Sequence, residues 1–97
     1  MIQHLVLLTF VPEATDDQRQ EVVEALRALP STISSIVSYH VGLDLGLADG
    51  NASLGIVAQF ADERGWATYR DHPDHVAVIN DLIAPIKASR TAVQFEI

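Results

Sequence analysis

Ile2-Gln3-His4-Leu5-Val6-Leu7-Leu8-Thr9-Phe10-Val11 opens the chain with two faces that are both mostly apolar. Leu, Val, Ile, Thr and Phe suit a pleated, buried surface, so the run predicts a strand. Alternation places His4, Val6, Leu8 and Phe10 on one side, and Gln3, Leu5, Leu7, Thr9 and Val11 on the other. A strand that is apolar on both sides has to be covered on both. Helices supply one cover, and the rest of the chain has to say what supplies the second. One strand alone does not decide which cover His4 faces.

Pro12-Glu13-Ala14 ends this strand. Thr15 and Gln18 have the spacing of a capping box, with Asp16 and Asp17 at the positive end of the helix that follows. Val22, Ala25, Leu26 and Leu29 recur at helical spacing, Arg19, Gln20, Glu24 and Arg27 take the wet face, and Pro30 closes the helix. Ile33 to Leu43 reads as a second strand with Ile33, Val37, Tyr39, Val41 and Leu43 on one parity. The glycine-rich run 44–53 is a loop. Its Asp49-Gly50-Asn51 resembles a fragment of a calcium loop but lacks the spaced acids and closing Glu, so it reads as a turn. Leu54 to Phe60 is a third strand, and Asp62 caps a short helix through Trp66 and Tyr69. Pro73 breaks that helix and starts another, which carries His75, Ile79, Leu82, Ile83 and Ile86 on one stripe and is bent or shortened by Pro85. Thr91 to Ile97 is the last strand.

The order β-α-β-β-α-β predicts one α+β, ferredoxin-like domain over residues 1–97. Its two right-handed crossovers, joined by a hairpin, give a four-stranded antiparallel sheet with both helices on one face. Leu5, Leu7 and Val11 then lie exposed on the other face, and a contiguous apolar patch marks an interface. The simplest cover is a second copy, sheet to sheet about a two-fold axis, which makes the protein a homodimer.

The 97 residues are 48% hydrophobic with an ordinary charged fraction, as expected of a globular domain. A net charge of -7 with only six Lys and Arg, none adjacent, argues against nucleic acid and against an acidic membrane surface. Without cysteine there is no disulfide, thiol nucleophile or zinc–thiolate centre. The apolar N-terminus is too short to span a bilayer and has no basic flank or small-residue cleavage site. The expectation is a cytoplasmic protein.

Chemistry concentrates in Tyr69-Arg70-Asp71-His72-Pro73-Asp74-His75, just after Trp66. His75 shares the stripe of Ile79 and Leu82 and so faces the sheet. A half-buried imidazole with a lowered pKa is neutral and available as a base near pH 7. Tyr69 holds its tautomer or donates to a developing oxyanion. The plainer reading has His75 bonded to a backbone carbonyl and Tyr69 filling core. His72 and Asp74 serve the helix junction, and His72 with His75 across a proline is a poor metal template, so no metal is expected. No Gly-rich phosphate loop, nucleophile elbow, flavin or haem motif is present, so no cofactor is expected.

Ile2-x-His4-x-Val6-x-x-Thr9-Phe10, Gly42, Phe60 and Tyr69-x-x-His72-Pro73-x-His75 together resemble the stress-responsive A/B barrel (Dabb) family over nearly the whole chain. The resemblance implies a ferredoxin-like protomer whose sheet packs on its twin to form a dimeric α/β barrel. It also implies, from the family's plant polyketide cyclase, a cofactor-free His/Tyr acid–base pair at His75 and Tyr69, with His4 at the pocket. That cyclase's first-helix tyrosine and third-strand histidine fall at Leu26 and Leu54, which implies a smaller or more apolar ligand, such as an aromatic carbonyl compound. His4, Leu26, Leu54, Trp66 and Ile79 are thus the expected substrate-pocket residues. The functions in view are a cyclase- or lyase-like enzyme, a non-catalytic small-ligand or stress-response module, and a monooxygenase or isomerase of a related barrel family. A lowered His75 pKa favours the first; a ring locked on a backbone carbonyl favours the second.

Overall fold

A computed structural model describes all residues from Met1 to Ile97. Strand β1 (Ile2–Phe10) is followed by helix α1 (Asp16–Ala28), strands β2 (Ile36–Leu43) and β3 (Leu54–Phe60), helices α2 (Glu63–Asp71) and α3 (Pro73–Val78), and strand β4 (Lys87–Glu96). The four strands form one sheet in the order β2-β3-β1-β4, every neighbouring pair antiparallel. This is the ferredoxin-like α+β arrangement expected from the order of elements.

The helices cover the face that carries His4, Val6, Leu8 and Phe10, all buried, while Leu7 on the opposite face is 49% exposed. His4 therefore looks under the helices. The core lies between this face and α1, where Val22, Val23, Leu26 and Leu29 meet Leu54, Ile56, Ala58 and Phe60 of β3. Each fully buried side chain of this size stabilises the fold by about 1.5–3 kcal/mol.

Local chemistry sets the ends of the helices. The Thr15 hydroxyl accepts from the Gln18 N–H at 3.1 Å, and the Gln18 side chain accepts from the Thr15 N–H at 2.9 Å, completing the capping box. Asp62 accepts from the Gly65 N–H at 2.8 Å and starts α2. His72 ends α2 in an extended conformation, as a residue before proline must. Its Nδ1 accepts from the Asp74 N–H at 3.1 Å and so caps α3. Arg27 is not simply solvated: its Nε and Nη2 donate to the Val41 carbonyl at 3.1 and 2.7 Å, occupying an acceptor of the edge strand β2.

Several expected boundaries shift. Ile33 is buried but precedes β2, because a 3₁₀ turn after α1 is closed by the Thr32 N–H on the Leu29 carbonyl at 3.0 Å, and the Ile33 N–H donates to the same carbonyl at 2.9 Å. Gly42 lies inside β2, opposite Gly55. β2 also carries a bulge: Ile36 pairs with Phe60 and Ser38 with Gln59, so Val37 is the extra residue. Val37 is accordingly 54% exposed, and Ile36 and Tyr39 come to share the helix side. After α3 the backbone widens into a π turn over Ile79–Ile83, closed by the Ala84 N–H on the Ile79 carbonyl at 2.8 Å. Pro85, without an N–H, prevents a return to α-helix. The buried residues Val78 and Ile83 sit one π turn apart as a result. β4 begins at Lys87, four residues before the expected Thr91, and pairs with the full length of β1. The segment 49–51 is a turn, with Gly50 at φ +84° and the Asp44 carboxylate bonding both Gly46 and Asn51.

The second face of the sheet is open. Leu5 lies opposite Val93 and Val57, and Leu7, Val93, Phe95 and Ile97 are between 46% and 63% exposed. No helix is long and apolar enough to cross a membrane.

Candidate active site

A cavity of about 420 Å³ lies between the β1–β4 half of the sheet and the helices. α1 stops short of β4, which is exposed along its whole length, so the helix layer leaves space above that strand. His4, Leu26, Trp66, Tyr69, His75 and Ile79 all line the cavity. Leu54 does not: it is fully buried in the core opposite Leu8, at the far end of β3. Ile79 is 36% exposed because it looks into the cavity rather than into packed core.

Trp66 and Tyr69 are three residues apart on α2, which puts both on its inner face. Tyr69 is buried, and its ring meets those of Phe60 and His4 at 5.1 and 6.3 Å between centroids. The His75 ring stacks on it at 4.0 Å and 30°. The Tyr69 hydroxyl does not reach His75's ring nitrogens as a partner. It bonds instead to the Tyr39 hydroxyl at 2.8 Å. Tyr39 is not among the site residues expected from the sequence: it shares the parity of buried Val41, but its place beside Tyr69 depends on a pairing between distant elements that no local pattern states. Burial raises the pKa of both phenols, Tyr39 further through its bond to Tyr69, so both stay protonated at neutral pH.

Nδ1 of half-buried His75 donates to the Arg70 carbonyl at 3.1 Å. A carbonyl only accepts, so the proton is fixed on Nδ1 and Nε2 keeps its lone pair. The tautomer is thus set by backbone and not by the Tyr69 phenol. Burial lowers the His75 pKa below the usual 6.5; the Arg70 and Tyr69 carbonyls partly oppose this, while Arg90 and His72 reinforce it. A carbonyl lock and a depressed pKa, which pointed to opposite functions in the sequence, here occur in the same ring and do not conflict. The lock on one nitrogen is what leaves the other free as a base.

Buried His4 is the complement of His75. The Gln94 side-chain amide donates to its Nδ1 at 2.9 Å, leaving the proton on Nε2, which has no protein partner. Burial lowers the His4 pKa, with Arg90 and His75 adding to the effect. The cavity therefore holds one neutral imidazole acting as acceptor and one acting as donor. His72 spends its Nδ1 on the α3 cap, and no three His, Cys, Asp or Glu side chains are grouped so as to hold a metal ion. The sequence reading also missed the β4 wall of Lys87, Arg90, Ala92 and Gln94, because the first two precede the expected start of that strand.

Residues 2–97 match the family model described as the Stress responsive A/B Barrel Domain (Dabb). Among solved structures, the chain is similar to a dimeric ferredoxin-like protein of unknown function from Thermobifida fusca. The two are 43% identical with a TM-score of 0.91, over 99% of this chain and 90% of that one. A second dimeric protein of unknown function with a ferredoxin-like fold, from Bacteroides fragilis, is 28% identical with a TM-score of 0.86, over 99% and 95% of the two chains. The hydroxynitrile lyase of Passiflora edulis shares the fold at 12% identity, with a TM-score of 0.84 over 99% and 92%. No curated protein matches the chain in sequence.

Proposed function

The chain belongs to the stress responsive A/B barrel (Dabb) family, and from that premise we propose a homodimer whose cavity takes a small carbonyl compound and removes a proton from the carbon beside the carbonyl, without a cofactor. The observation that carries this reading is the free Nε2 of His75, held in the basic tautomer by the Arg70 carbonyl and kept neutral by burial. In the step proposed, the C–H bond breaks and its proton passes to Nε2, making His75 an imidazolium. The bonding pair moves onto the carbonyl oxygen as an enolate. The His4 Nε2–H donates to that oxygen, and Tyr69 acts as a positioning residue that fixes the plane of His75. The enolate then takes back a proton or attacks a second carbonyl, giving isomerase- or cyclase-like outcomes. Addition of the same carbanion run backwards is lyase-like. Leu26, Trp66 and Ile79 supply the apolar wall for the carbon skeleton.

Hydrogen–deuterium exchange at the methyl group of acetophenone tests this without knowledge of the natural substrate. The protein is expected to exchange the methyl protons faster than buffer does. The rate should rise as His75 loses its proton, with a midpoint below pH 6.5, because the lowered pKa means that deprotonation begins early. It should be level by pH 7. Binding of acetophenone with no exchange above buffer would leave a ligand-binding module and sink the base.

The dimer reading rests on the open sheet face and on the dimeric state of the Thermobifida fusca relative. Sheet-to-sheet packing would bury Leu5, Leu7, Val93 and Phe95 and close the barrel. Replacing Leu7 and Val93 together by Glu is expected to give a protein of half the wild-type mass in light scattering at micromolar concentration. A variant that stays dimeric would place the interface elsewhere.

A further inference from the structure

The chain carries thirteen acidic and six basic residues, yet the cavity is lined by three of those six, Arg70, Lys87 and Arg90, and by no Asp or Glu. Arg70 is already committed: it forms an ion pair with Asp71 at 2.8 Å, and its guanidinium lies 4.8 Å over the Trp66 ring. Lys87 and Arg90 have no partner in any hydrogen bond or ion pair. We propose that they hold the carboxylate of the ligand, which makes the ligand of this cavity a keto acid rather than a neutral carbonyl compound.

The geometry of β4 supports a built arrangement. Residues three apart on a regular strand point to opposite faces. Lys87 and Arg90 escape that rule because β4 is bulged: Phe10 pairs with Lys87 and Thr9 with Ser89, so Ala88 is left over. Lys87 then follows buried Phe10, and Arg90 follows buried Leu8, onto the cavity side. Edge-strand lysines and arginines often serve only to block pairing with other chains, and either face does that equally well. A bulge that turns both cations to one face is not needed for it. The acid of the same strand, Glu96, is drawn off to the N-terminal ammonium at 3.4 Å, so nothing on β4 neutralises the pair.

Position also limits the ligand. From Arg90 the cavity side of β4 continues through Ala92 to Gln94, the residue bonded to His4. At about 3.3 Å per residue, Arg90 and Gln94 are about 13 Å apart along the strand. The Arg90 side chain reaches across part of that distance, and an acid with its ketone several bonds from the carboxylate spans the rest while its carbonyl oxygen meets His4.

The inference rests on the cavity being the ligand site, and the test separates it from the base assigned to His75. Benzoylpropionate and its methyl ester are titrated calorimetrically into the wild type and into the Lys87→Gln/Arg90→Gln variant, whose changed residues are exposed. The acid should bind about tenfold tighter than the ester, as expected for charge-assisted hydrogen bonds. That preference should vanish in the variant and shrink with added salt. Equal affinity for acid and ester, a preference that survives in the variant, or no binding of either at millimolar concentration would overturn the proposal. Phenyl phosphate binding more tightly than benzoate would overturn the choice of carboxylate. Exchange of the α-protons of the ester without any preference for the acid keeps His75 as base and removes the keto acid. Charge-dependent binding without exchange does the reverse.

Discussion

Replacing His75 by Gln is expected to lower the rate of acetophenone deuterium exchange by about 10²–10⁴, the usual worth of a positioned general base. Gln keeps much of the length of the side chain and can still donate an N–H toward the Arg70 carbonyl, so the helix junction should persist. What it lacks is a nitrogen lone pair basic enough to take a proton. Tyr69→Phe provides the contrast. It keeps the ring that stacks on His75 at 4.0 Å and removes only the hydroxyl bonded to Tyr39. If Tyr69 positions the base, exchange should fall far less in Tyr69→Phe than in His75→Gln, and the pH midpoint should move little. A Tyr69→Phe loss as large as that of His75→Gln would instead make the phenol a proton donor in the reaction. A His75→Gln variant with wild-type exchange would end the assignment of the base altogether.

Much of this arrangement can be read from the chain, and what cannot has a common cause. β3 occupies Leu54–Phe60 as its alternation requires, and the Thr15/Gln18 box starts α1 where its spacing says. Both are local: one is a strict period, the other a pair of side chains within a turn. The bulges at Val37 and Ala88 are not local. Each is an extra residue that exists only relative to a partner strand, and each reverses the faces of everything before it. The Lys87–Arg90 pair, which straddles its bulge, is hidden for that reason; Tyr39 follows its own and is hidden because its partner Tyr69 lies on a distant element. Lys87-Ala88-Ser89-Arg90 has no strand-like composition and is extended because β1 is there to pair with it. The stripe from His75 placed the imidazole correctly over the sheet, since α3 follows immediately from the Pro73 start. It drifted further on, because the π turn at Ile79–Ile83 adds a residue per turn. Leu54 was placed in the pocket by likeness to a relative and not by its own surroundings, which are core.

The largest loss of stability is expected from Phe60→Ala. Phe60 is fully buried at the end of β3, beside both rings that flank the site, with centroids 5.1 Å from Tyr69 and 6.3 Å from His4. Truncating a buried phenylalanine costs about 3–5 kcal/mol through lost transfer energy and the cavity left behind. A domain of this size has about 5–15 kcal/mol in total. At about 4–8 °C per kcal/mol, the melting temperature should fall by about 12 °C at least. The location makes the consequence more than thermal. Tyr69 would lose one wall of its pocket while Tyr39 still pulls on its hydroxyl, so the ring that His75 stacks on would no longer be held in one plane. Exchange activity measured well below the new melting temperature should therefore drop as well, whereas Val22→Ala, at a fully buried residue that does not line the cavity, should cost stability alone. Equal activity per folded molecule in the two variants would show that His75 is oriented by its bond to the Arg70 carbonyl without help from the Tyr69 ring.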